Sequence, residues 1–117
     1  MTGIKRQGDV ILIPTRPAKV VDIEPAPKDS RGVVLAEGET SGHHHGVVGR
    51  GCKLFLFSDG RADRLLTVGK AGAEVRVVGG GSGGVDRHTP ISLKPGNYVV
   101  RIQRSWTSAS ASRQVQD

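Results

Sequence analysis

Short apolar runs recur along the chain, each closed by glycine, proline or a polar turn. Asp9-Val10-Ile11-Leu12-Ile13, closed by Pro14, reads as a buried strand. Gly32-Val33-Val34-Leu35-Ala36 is the next, and a polar segment from Glu37 to Gly42 follows it. Lys53-Leu54-Phe55-Leu56-Phe57 and Arg64-Leu65-Leu66-Thr67-Val68 flank Ser58-Asp59-Gly60-Arg61, which predicts a hairpin. From Ala73 to Val78 the pattern alternates, with Val75 and Val77 inward and Glu74 and Arg76 outward. Tyr98, Val100 and Ile102 share one face of a last strand. It follows Lys94-Pro95-Gly96-Asn97, where proline and glycine take the central positions of a type II turn.

Between Pro17 and Arg31, Pro17, Pro25 and Pro27 exclude a stable helix and leave room for a short edge strand from Lys19 to Ile23. The run Gly79 to Gly84 reads as a flexible hairpin tip or linker, since no helix follows it to make a phosphate-cradling loop. No window carries the 3.6-residue period of a helix. The expected fold is all-β, a small antiparallel barrel or sandwich of about seven to nine short strands with an extended C-terminal tail. Residues 1–104 form the single β domain, and residues 105–117 form a polar tail. Nothing after Trp106 can bury itself, so the tail is expected to gain order from partners, with Trp106, Arg104 and Arg113 as the contact residues.

Composition narrows the core. Aromatic residues are 3% of the 117, so Val, Ile and Leu must fill the interior. Seventeen glycines and six prolines suit many tight turns. Cys52 is the single cysteine, which rules out a disulfide within one chain and reads as a half-buried thiol at a strand start. The first residues lack the apolar segment of a signal peptide, and no apolar run reaches the ~20 residues of a membrane helix. The net charge of +6 suggests an acidic partner. Yet Lys5-Arg6 is the one adjacent basic pair, and the other cations are scattered singly through turns and strand ends. Basic residues are not interleaved with aromatics as a single-strand stacking platform requires.

The candidate chemistry is a histidine cluster. On a strand alternate residues share a face, so His43 and His45 point together while His44 points away. If the segment carrying His88 pairs with theirs, three imidazoles and one open position would suit zinc or a related divalent ion. Glu39 or Glu37 could complete the shell or act as a base. Two other readings stand beside this one: an exposed histidine-bearing turn with His88 unrelated, and a two-histidine step on an oligomer axis.

Two resemblances bear on these residues. Arg6-Gln7-Gly8-Asp9-Val10-Ile11-Leu12-Ile13-Pro14, Gly38-Glu39-Thr40-Ser41-Gly42-His43-His44-His45 and His88-Thr89-Pro90-Ile91-Ser92-Leu93-Lys94-Pro95-Gly96-Asn97-Tyr98, ending in Gln103-Arg104-Ser105-Trp106, resemble a group of small uncharacterised phage and bacterial proteins. That resemblance implies a phage-linked context and supports pairing of the two histidine segments. The His43-His44-His45 step is also similar to the metal motif of the cupin barrels. Here, however, Val48, Gly49 and Arg50 stand where the cupin acidic ligand belongs, and His88 precedes Pro95-Gly96 instead of following it.

The leading expectation is a non-enzymatic virion structural protein, a capsid decoration or cement subunit that meets a capsid protein within a homo-oligomer or larger assembly. It would reside in the virion or the host cytoplasm. The alternative is a metal-binding β-barrel protein or enzyme that uses the histidines. Nucleic-acid binding is a third class, and it requires a contiguous basic face in the folded protein.

Overall fold

The structure is a computed structural model, and it describes residues 3–16, 22–38, 42–79 and 89–103. Ten strands follow in order: β1 (Lys5–Gln7), β2 (Val10–Thr15), β3 (Ile23–Pro25), β4 (Val33–Glu37), β5 (His43–Val48), β6 (Lys53–Phe57), β7 (Arg64–Val68), β8 (Ala73–Gly79), β9 (Ile91–Leu93) and β10 (Gly96–Ile102). The count exceeds the expected range because β1, β3 and β9 are three-residue strands. All described pairings are antiparallel, in a six-stranded sheet ordered β1-β2-β10-β7-β6-β3 and a four-stranded sheet ordered β4-β5-β8-β9. The sheets do not close on each other, so the fold is a sandwich and differs from the closed barrel of the cupin resemblance. Among the described residues there is no helix, hence none long and apolar enough to cross a membrane.

Local chemistry sets the pairings. Gly8, at φ +57°, is the first residue of a two-residue hairpin turn between β1 and β2, the position where a twist-compatible turn demands positive φ. β2 runs through Pro14 to Thr15, past the stop expected at Pro14. Pro14 is tolerated because pairing with β1 ends at Lys5↔Leu12, so no partner on that flank awaits the N–H that proline lacks. The β6–β7 hairpin forms as the sequence predicts, with Lys53 opposite Thr67 and Leu56 opposite Arg64. Of the edge strand expected from Lys19 to Ile23, Lys19 to Val21 lie outside the described residues, and β3 begins at Ile23. Lys94-Pro95 carries the chain from one sheet to the other. Gly96 enters β10 at φ +142°, far from the ~+80° of a type II turn.

Val10, Leu12, Leu66, Tyr98 and Val100 from the larger sheet meet Leu35, Val75 and Leu93 from the smaller one. The core is aliphatic around one ring, as the composition requires. Tyr98 is 2% exposed, and its hydroxyl donates to the Lys94 carbonyl at 2.7 Å, which removes the cost of burying it.

Antiparallel pairing gathers the connections at two ends. One end holds the β1–β2 turn, the β6–β7 loop, the close of β4 and the opening of β5. The other holds the close of β2, the β5–β6 and β7–β8 loops and the crossing from β9 to β10.

Candidate functional site

The histidines lie on β5, between β4 and β8, at the first end. The alternation is as expected. His45 faces inward, 4% exposed, with its Nδ1 2.9 Å from Gln7 Oε1. His44 lies on the opposite face of the strand from His45 but is itself buried, 8% exposed, with its ring over Gly46; a Cβ on Gly46 would stand 3.4 Å from His44 Cδ2 and Nε2. His43 shares the parity of His45, and its Nδ1 is buried with no hydrogen-bond partner among the described residues.

Gln7 is the residue that organises this end, and sequence reasoning quoted it without assigning it a role. It is 3% exposed and ends β1 in the six-stranded sheet, yet its amide nitrogen donates across the core to the Val75 and Thr89 carbonyls, both at 3.0 Å. Those carbonyls can only accept, so they fix the orientation of the carboxamide and point Oε1 at His45. His45 Nδ1 must therefore carry a proton, and in the neutral ring Nε2 holds the lone pair. The register explains the meeting. His45 pairs with Val77, and the Val75↔Ile91 pairing, continued by one step of two, sets Thr89 level with Val77. One row thus runs from His45 through Val77 to Thr89, and Gln7 crosses over it from the other sheet.

The two histidine segments are not direct neighbours: β8 lies between β5 and β9. His88 and Glu39 lie outside the described residues, as do Trp106, Arg104 and Arg113. Glu37, the other carboxylate considered, accepts two hydrogen bonds from Arg31, at 3.1 and 2.7 Å. Among the described residues no group of three or more His, Cys, Asp or Glu side chains is placed to hold a metal ion. Cys52 is half-buried just before β6 and packs against the core, as expected of a structural thiol.

A cleft of about 680 Å³ opens elsewhere, between the β4 edge and Leu54, Leu56, Arg64 and Ile102 of the other sheet. The histidines do not line it. Arg64 donates to the Leu35 carbonyl and so ties β7 to β4; burial pushes its pKa below the ordinary arginine value. Beside the cleft, hydrogen bonds from Arg31 lower Asp29 to about 2 and also depress Glu37, with a smaller contribution from the charge of His44.

Gln7, His45 and Thr89, one from each of three stretches quoted from the sequence, thus meet at one polar junction. The chain belongs to the DUF8820 family. The family model, described as a domain of unknown function, matches residues 6–103, a span that contains Gln7, His45 and Thr89. No curated protein and no solved structure matches the chain.

Proposed function

We propose that this DUF8820 chain is a non-enzymatic structural protein of a phage particle, a decoration or cement subunit that acts through its surfaces. One observation carries the non-enzymatic part. Gln7 and His45, the polar side chains joined at the candidate site, are buried, and they bond each other and the backbone across the sandwich. Such a cross-sheet junction rigidifies a small core and fixes how its sheets stack. The phage context rests on the sequence resemblance. Extended tails suit assembly because they gain contact area on binding.

A second reading has its own observation. The unpartnered Nδ1 of His43 and the fixed tautomer of His45, on one strand face, are what a pair of imidazole ligands for a zinc-like ion would present. Gln7 would then orient a ligand.

Native mass spectrometry of the untagged chain, with and without added zinc, separates the two. The structural reading expects a metal-free oligomer, or a metal-free monomer that joins particles bearing its shell protein. A monomer carrying one metal per chain, lost in both His43→Ala and His45→Ala, overturns it. So does a chain that neither self-associates nor joins particles.

A further inference from the structure

The cations that are scattered along the sequence are not scattered in the fold. Arg16 follows β2, Lys94 precedes β10, Lys70 follows β7 and Lys53 opens β6. These four strands are consecutive neighbours in the six-stranded sheet, and all four positions fall at its second end. With strands ~4.8 Å apart, they form a row ~14 Å long. Arg50 joins them from the β5–β6 loop, whose backbone packs so closely on the β7–β8 loop that a Cβ on Gly69 would stand 2.7 Å from the Arg50 carbonyl.

All five residues are exposed. The described ion pairs involve Arg31, Arg61, Arg76 and Arg101, so among the described residues none of the five has a carboxylate partner. Glu74, near the start of β8 at this end, is paired with Arg76. Between the cations stand Gly49, Gly51, Gly69, Gly72 and Gly96, which add no side chain to hold a partner away.

We infer that this end of the sandwich is a binding surface for the phosphate backbone of nucleic acid. A duplex carries one charge per ~1.7 Å, so a row ~14 Å long faces about eight phosphates. An acidic protein surface offers sparser charge, usually mixed with cations. Lysine and arginine beside bare glycine backbone make phosphate contacts, which position a duplex without reading its sequence. The inference stands on charge placement and is independent of the phage assignment.

The test is fluorescence anisotropy of the full chain with a labelled duplex of mixed sequence, across a salt series. Five phosphate contacts predict a slope of log affinity against log salt of about −4.5. Replacing Lys53, Lys70 and Lys94 together by Gln removes three contacts. The slope then flattens by about 2.7, and affinity falls by at least ~100-fold near ~0.1 M salt. A control with Lys5, Arg6 and Arg61 replaced by Gln, all away from this end, carries the same net charge and retains most of the affinity. The inference is overturned if the wild type does not bind at low salt, or if both triple variants lose affinity equally. It is also overturned if polyglutamate competes as well as unlabelled duplex, which would make the partner an acidic protein. Matching circular dichroism and urea midpoints for the three proteins exclude unfolding as the cause of any loss.

Discussion

The two ends of the sandwich treat polar groups in opposite ways. At the first end they are answered from within the chain. Gln7 bonds His45 and two carbonyls, Arg61 pairs with Asp59 at 2.6 Å and Arg101 with Asp63 at 2.9 Å. At the second end the loops are glycine-rich and pressed together, and the cations they carry have no acid described beside them. The first end is organised by internal demand: buried polar groups must be paired, and pairing them fixes the stacking of the sheets. The second leaves its charge for something outside the chain.

The sharpest way to break this contrast is Gln7→Leu. It removes the hydrogen bonds to the buried Val75 carbonyl, the part-buried Thr89 carbonyl and His45 Nδ1, at ~1–3 kcal/mol for each buried group left unsatisfied, partly offset by leucine burial. A loss of about 3 kcal/mol in urea unfolding is expected. A loss under ~1 kcal/mol would show that the junction does not hold the sheets together. At the opposite end, Gly69→Ala tests packing. The added methyl would meet the Arg50 carbonyl at 2.7 Å, and because that neighbour is backbone, relief requires the loops to part. About 2 kcal/mol of destabilisation is expected from overpacking, against almost none for Gly3→Ala, where no atom lies within 4 Å.

Most strands were legible in the sequence because their signals are local. Lys53 to Phe57 and Arg64 to Val68 emerge as β6 and β7 with unchanged bounds, since two short apolar runs and the glycine turn between them determine both. The short β1, β3 and β9 were hidden because three residues carry no periodicity, and what holds them is a neighbouring strand. The inward parity of His45 could be read from the strand period, whereas its partner could not. Gln7 lies 38 residues away and in the other sheet, so its role depends on topology. The basic row was invisible for the same reason: Arg16, Lys53, Lys70 and Lys94 become neighbours through strand order.

That row should also have a small cost of its own, since like charges a few ångströms apart repel. Lys94→Glu, which places an acid among the cations, should stabilise the chain by about 0.5 kcal/mol at low ionic strength. The gain should vanish near ~1 M salt, where the screening length is ~3 Å. Urea midpoints at the two salt concentrations measure it. The same substitution at Lys5, away from the row, should change little. Equal effects at both positions would mean that net charge, not placement, governs this end.

The smallest expected effect concerns acid, and it belongs to carboxylates already paired. Asp29 sits at about 2 in the folded chain against an ordinary 3.8, and Glu37 is shifted the same way, both chiefly through hydrogen bonds from Arg31. A carboxyl whose pKa is depressed on folding binds protons more readily in the unfolded state. Its contribution to stability is therefore complete above the unfolded value and fades as the pH falls towards the folded one. For Asp29 that window runs from about 4 down to about 2. All three groups reach solvent, so screening keeps the effect small, and it should shrink further in salt. Thermal midpoints followed across this window should fall more steeply for the wild type than for Arg31→Gln, which removes the hydrogen bonds to both acids. Parallel curves would mean that the trio contributes nothing to the acid sensitivity of folding.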